Sequence, residues 1–153
     1  MDYDIEVVEL PSRPAAVVRR AGIRTEDVGG FVATALGEVV AALRRQGVLP
    51  AGPPFTRYGR VADGRLDVEV GLPTAAPVRD TGRVVAAELP AGRAVRARHV
   101  GPYSGVGAAH AAVARWMAER GLAVRDAPWE SYLDGPEARL PRTDVVVPCR
   151  AAA

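Results

Sequence analysis

The side chains best equipped for chemistry stand close together near the C-terminus, in Pro128-Trp129-Glu130-Ser131-Tyr132-Leu133. In an extended strand, residues two apart project from one face, so Glu130 and Tyr132 share one environment while Trp129 and Ser131 share the other. A carboxylate beside a phenol can move a proton to or from a bound molecule, or hold a cation against aromatic surface. Drawn out of water among aromatic rings, such a carboxylate is expected to have a raised pKa and to be the better base. On residue type alone, the plainer reading is favoured: a surface-strand acid paired with one of twenty arginines.

Other candidates carry the same ambiguity. Tyr58 and Tyr132 fit core aromatics anchored by one hydrogen bond as well as they fit ligand contacts. Tyr103, just before a helical pattern, suits a pocket rim as well as a core. Trp116 follows Val113 by three on the apolar face of that helix, where packing is the commoner role, and Phe31 lies on the apolar face of an earlier helix. Trp129 also fits a structural role. The run Gly101-Pro102-Tyr103-Ser104-Gly105-Val106-Gly107 lacks the lysine of a phosphate loop and the dinucleotide-binding spacing, and reads as a turn with a helix cap. Ser104 has Pro102 and Val106 where a nucleophile elbow needs glycines. His99 and His110 have no acid or serine partner in sequence and read as surface or strand-end residues, while Cys149 beside a strand end reads as inert.

Composition narrows the classes. All twenty basic residues are arginine, and with no lysine there is no side-chain amine for Schiff-base catalysis. One cysteine cannot form an internal disulfide, and two distant histidines give no zinc spacing, so neither a metal nor a cofactor is expected. The calculated pI is near 9.1, but the net charge is only +2 with the arginines scattered, which argues against direct nucleic-acid binding. No apolar run reaches a membrane span, and Met1-Asp2-Tyr3-Asp4 has no signal-peptide pattern, so a cytoplasmic location without membrane association is expected.

These residues must be positioned by an α+β framework built twice over. Residues 3–10, a turn at Pro11-Ser12-Arg13-Pro14 and residues 15–18 read as a hairpin. Thr25 can cap a helix with apolar positions Val28, Phe31, Val32, Ala35, Leu36, Val39, Val40 and Leu43, which Gly47 ends. Residues 55–61 and 66–72 flank Asp63-Gly64 as a second hairpin. The order then repeats: strands at 84–89 and 94–100 about Pro90-Ala91-Gly92, a helix from about Ser104 to Arg120 stopped by Gly121, and strands at 128–133 and 143–148. Leu10-Pro11 matches Leu89-Pro90 and Gly22 matches Gly101 at one offset of 79; Gly47, Pro54 and Tyr58 match Gly121, Pro128 and Tyr132 at another of 74. The chain therefore reads as one domain over 1–153 with internal repeats of about 1–73 and 78–150, joined by Pro73-Thr74-Ala75-Ala76-Pro77. Two β-β-α-β-β halves about a pseudo-twofold are expected to leave a central ligand cleft, with Tyr58 and Tyr132 near the axis. Thr56 matches Glu130, so only one half carries the acid.

Three segments, Val100-Gly101-Pro102-Tyr103, Pro128-Trp129-Glu130-Ser131-Tyr132-Leu133 and Leu140-Pro141-Arg142-Thr143-Asp144-Val145-Val146-Val147-Pro148, resemble the GyrI-like family over nearly the whole chain. That resemblance implies a pocket in which a glutamate at the position of Glu130 contacts the ligand, and it reverses the balance on that residue. It also implies the ligand class: aromatic, lipophilic, drug-like compounds. Family members include effector-binding domains of drug-sensing regulators, a gyrase inhibitor, and stand-alone hydrolases of cyclopropane-bearing DNA-alkylating antibiotics. The implied functions are therefore drug binding or sequestration, effector sensing, and antibiotic resistance by ring-opening hydrolysis with Glu130 as base and Tyr132 or Tyr58 as hydrogen-bond donor. The sequence leaves no room for a helix-turn-helix segment, which disfavours a regulator and tilts the expectation toward the hydrolase. A protein partner such as gyrase has no clear sign in an apolar or acidic patch.

Overall fold

Both helical patterns fold as their apolar spacing predicts. α1 (Val28–Gln46) buries Phe31, Ala35, Val39, Ala42 and Leu43, a stripe of three- and four-residue steps, and ends where Gly47 takes the left-handed conformation at φ 66°. α2 (Val106–Glu119) buries Val106, Ala109, Val113 and Met117, and Gly121 follows at φ 65°. Thr25 does not cap α1. It opens a 3-10 turn, Thr25–Asp27, that runs into the helix, and Asp27 at the cap position is already helical (φ −94°, ψ −8°), whereas side-chain capping needs an extended residue there. A matching turn, Tyr103–Gly105, delays α2 by two residues from the predicted start.

The computed structural model describes residues 3–135 and 137–153; Met1 and Asp2, part of the stretch read for a signal peptide, and Pro136 lie outside the described residues. The strands are β1 (Ile5–Leu10), β2 (Arg13–Arg24), β3 (Phe55–Ala62), β4 (Arg65–Pro73), β5 (Val84–Leu89), β6 (Gly92–Val100), β7 (Leu122–Val124), β8 (Trp129–Tyr132) and β9 (Arg142–Ala151). They fall into two compact units, one of residues 12–90 and one of the described residues up to Pro11 together with those from Ala91 onward. In the first, the strand order is β3-β4-β2-β5, with α1 on β2 and β4; in the second it is β8-β9-β6-β1, with β7 along the far end of β9 and α2 on β6, β7 and β9. Every pairing within them is antiparallel. The fold is α+β and duplicated. Among the described residues, no helix is long and apolar enough to cross a membrane.

One expectation fails in both repeats: the opening strands do not form hairpins. β1 pairs with β6, and β2 pairs with β4 and β5. The turn chemistry explains this. A two-residue hairpin needs left-handed backbone, which Asp63 (φ 54°) and Gly64 (φ 71°) supply between β3 and β4. Pro11-Ser12 supplies none, and after Leu89 only Gly92 has positive φ (120°), one residue where a two-residue turn needs two, so the chain runs on and each unit takes its edge strand from the other repeat. The short β7 was not predicted, since three residues give no readable alternation.

Gly71 is the tightest point in the first unit. Its backbone lies so close to β2 that an added Cβ would meet the Ala16 carbonyl oxygen at 1.9 Å and the Val17 Cα at 2.9 Å. Gly71→Ala must therefore push β2 and β4 apart. The expected loss is about 1–3 kcal/mol or more, as for other overpacked sites, seen as a lowered urea midpoint; an unchanged midpoint means the strands separate at no cost.

Candidate functional site

β8 is held by β9 in a register that decides where its side chains go. Glu130 lies opposite Val145 and Tyr132 opposite Thr143. Val145 belongs to the core under α2, with Val95, Ala97, Val113 and Met117, so Glu130 and Tyr132 face the helix. Trp129 and Ser131 lie beside Val146 and Asp144 on the opposite face, as strand alternation requires.

Glu130 is only 2% exposed, and donors converge on it. The Tyr103 hydroxyl donates a short hydrogen bond to Oε1. The Tyr132 hydroxyl donates to the same oxygen at 3.3 Å, and Nε2–H of His110 donates to Oε2 at 2.5 Å. The two phenols touch: their hydroxyl oxygens are 3.4 Å apart and their rings pack edge to face, centroids 5.7 Å apart. Such a constellation suits an ionised carboxylate, which accepts at both oxygens and donates at neither. Burial without these partners would cost several kcal/mol.

Local sequence builds each donor. Gly101, at φ 128°, adopts backbone that side chains disfavour; Pro102 follows, and the 3-10 turn places Tyr103 immediately before α2. His110 is four residues after Val106 and three before Val113, on the buried side of α2, and its side chain remains 30% exposed. Tyr103 is 46% exposed, yet its hydroxyl proton is tightly held: loss of water around the hydroxyl, then the neighbouring Tyr132 and Glu130, push its pKa well above the ordinary 10.0.

Of the residues singled out in the sequence, Glu130, Tyr103 and Tyr132 meet in one cluster. Trp129 is buried behind them on the other face of β8. Trp116 packs against the core under α2, with the Arg120 guanidinium 3.9 Å above its ring. Tyr58 and Phe31 belong to the 12–90 unit, where both pack into its core, and Arg20 and Arg83 lie over the Phe31 ring at 5.9 and 5.8 Å. Thr56 faces Val70 as Glu130 faces Val145, and is fully buried. Sequence reasoning finds no acid partner for His110, because that partner, Glu130, is twenty residues away. The packing of α2 on β6, β7 and β9, with β8 alongside β9, brings them together.

A groove of about 470 Å³ lined by Asp4, Ile5, Glu6, Arg96, Arg98 and Asp144 is a weaker candidate. Asp144 projects from the face opposite Glu130, and the groove's arginines are paired, Arg96 with Glu6 at 2.7 Å and Arg98 with Asp144 at 2.9 Å.

Comparison with known proteins gives a consistent result. A family model described as GyrI-like small molecule binding domain matches residues 3–150. No curated protein sequence matches the chain. Among solved structures, the chain is similar to the C-terminal domain of EcmrR, with a TM-score of 0.86 and 21% identity over 99% of this chain and 100% of that one. It is also similar to EcmrR in a DNA complex (TM-score 0.84, 19% identity, 98% of this chain), where it spans 58% of EcmrR's length. A structure described as a hydrolase from Listeria innocua has a TM-score of 0.62 at 18% identity, over 95% of this chain and 91% of that one. SAV2435 bound to tetraphenylphosphonium has 0.67 at 14%, over 98% and 94%. At these identities the likeness is one of fold.

The Tyr103 environment predicts a pH effect. In the folded protein this phenol keeps its proton above pH 10, where an unfolded tyrosine gives its proton up, so the stability it contributes is full below about pH 10 and falls as the pH rises further. Phenolate absorbance near pH 10 should be the same in wild type and Tyr103→Phe, and the stability of the wild type should drop more steeply above that pH. A phenolate lost in the mutant would show that Tyr103 titrates normally.

Proposed function

The chain belongs to the GyrI-like small-molecule-binding family, and from that premise we propose that it binds flat, lipophilic, drug-like compounds, cationic ones foremost, with Glu130 as the charged anchor. The observation that carries this reading is a buried carboxylate held by two phenols and an imidazole. Its negative charge sits in a low-dielectric setting where attraction to a cation is strong, and the aromatic rings beside it suit a delocalised or aryl-substituted cation. Tyr103, half exposed and bonded to Glu130, is the group an arriving ligand meets. The complex of SAV2435 with tetraphenylphosphonium, a lipophilic aryl cation that is tetrahedral rather than flat, supports the lipophilic and cationic parts of this ligand class. The reading places the protein in the cytoplasm as a sequestering or sensing module; its EcmrR-like fold is compatible with either.

A second reading, hydrolysis of a strained cyclopropane fused to a conjugated dienone, draws on the pair of phenols at the carboxylate and on the fold shared with a structure described as a hydrolase. Glu130 would take a proton from water as the water oxygen attacks the ring carbon. The carbon–carbon bond breaks, its electron pair ends on the carbonyl oxygen, and Tyr103 or Tyr132 donates a hydrogen bond there. Acid–base help of this kind is worth about 10²–10⁴-fold. At least three donors already on Glu130 make it a better anchor than base, which ranks anchoring first.

One experiment separates the two. Wild type and Glu130→Gln are titrated with tetraphenylphosphonium and a neutral aryl analogue, and incubated with a cyclopropane-bearing alkylator under mass spectrometry. Anchoring predicts that the mutant loses about tenfold or more in cation affinity, a loss of about 1.4 kcal/mol, with little change for the neutral compound and no mass change in the alkylator. A water-added product absent in the mutant establishes the hydrolase. Equal cation affinity in both proteins would falsify the anchor.

A further inference from the structure

We propose that His99 is a positioning residue, a latch that holds the Pro102–Gly105 turn and thereby keeps the Tyr103 hydroxyl on Glu130. His99 ends the buried part of β6 at 5% exposure. Its Nε2 lies 2.9 Å from the Pro102 carbonyl oxygen, and because a carbonyl only accepts, the ring hydrogen must be on Nε2. The same carbonyl accepts the Gly105 N–H at 3.0 Å, the bond that closes the 3-10 turn. His99 therefore grips the first carbonyl of the turn carrying Tyr103. Gly101, one residue earlier, is tied to the Pro141 carbonyl at 2.9 Å, so the turn is fixed at two successive positions.

Two further observations separate a latch from ordinary packing. His99 Nδ1 is buried with no hydrogen-bond partner among the described residues. An apolar side chain of similar size would fill the space without an orphaned nitrogen, so what the imidazole adds there is the bond at Nε2. The turn is also shaped to the ring: a Cβ on Gly105 would lie 3.0 Å from His99 Cε1 and 3.3 Å from Nε2, although Gly105 has a backbone conformation (φ −89°, ψ −3°) open to alanine. The Tyr3 ring, its centroid 6.3 Å away and tilted by 39°, is a neighbour of the imidazole as well. His99 thus sits outside the Glu130 cluster and acts on it through Tyr103.

The proposal rests on reading Glu130 and Tyr103 as the ligand site, but its test needs no ligand. Phenolate absorbance is titrated in the free full chain for wild type, His99→Leu, His99→Gln, Gly105→Ala and the His99→Leu/Tyr103→Phe double variant. With the latch gone, Tyr103 leaves Glu130 and ionises in the ordinary range, so His99→Leu should gain about one phenolate near pH 10 and the double variant should lose it. His99→Gln retains a donor at comparable reach and should stay close to wild type. Gly105→Ala, which crowds the ring, should show part of the gain. A cooperatively folded His99→Leu without the extra phenolate overturns the latch, as does an equal gain in His99→Gln, which assigns the effect to ring packing. If His99→Leu does not fold, Gly105→Ala decides: a gain supports the latch and its absence overturns it. Binding that depends on Glu130 with no phenolate change removes only the latch; the phenolate change without any ligand binding removes only the ligand reading.

Discussion

Burying one carboxylate is the constraint around which the rest of this site is organised. At 2% exposure Glu130 has given up nearly all of its water, and a charge so placed costs several kcal/mol unless hydrogen bonds replace the lost solvent. At least three pieces of chain supply replacements: a turn supplies Tyr103, a helix supplies His110, and the strand itself supplies Tyr132 two residues on. Packing α2 on β6 and β9 therefore delivers the imidazole as well as burying Val113 and Met117.

Duplication gives the frame, and divergence gives the site. In the 12–90 unit β3 lies against β4 as β8 lies against β9, with Thr56 where the other unit has Glu130 and Tyr58 where it has Tyr132. A threonine is cheap to bury, since one hydroxyl needs few partners. Its helix can then be devoted to packing: α1 presents Phe31, Ala35 and Val39 to the sheet. The acid in the other copy forces a polar lining on an otherwise similar unit. The two cores thus diverge from one strand position outward.

Much of this was legible in the sequence. Helical spacing and the left-handed glycines Gly47 and Gly121 gave both helices and their C-terminal ends, and Asp63-Gly64 gave a tight hairpin. Strand alternation placed Glu130 and Tyr132 on one face. What could not be read were choices of partner. Leu10 and Leu89 end strands whose alternation says nothing about which neighbour they pair with. His110 was unreadable for a related reason: its role depends on the register of β8 against β9 and on the packing of α2 on that sheet. Phe31 had helical spacing consistent with core or ligand, and only its packing in the 12–90 core, with Arg20 and Arg83 over the ring, tells which neighbours it has.

If Glu130 anchors the ligand as proposed, the arrangement also bears on how the site selects. A ligand that approaches Glu130 must either displace one of its donors or interact through it. Displacing Tyr103 exchanges one bond to the carboxylate for another, so the net gain is only the difference between the two. A neutral donor barely improves on a phenol, whereas a cation adds Coulomb attraction that the phenol lacks, in a setting of low dielectric. On the proposed reading, the donors that allow Glu130 to be buried also set the threshold that a ligand must exceed, and charge is the property that exceeds it. Tyr103, on a turn and half exposed, is the donor whose release opens the carboxylate with the least disturbance of the core, since Tyr132 and His110 are built into a strand and a helix.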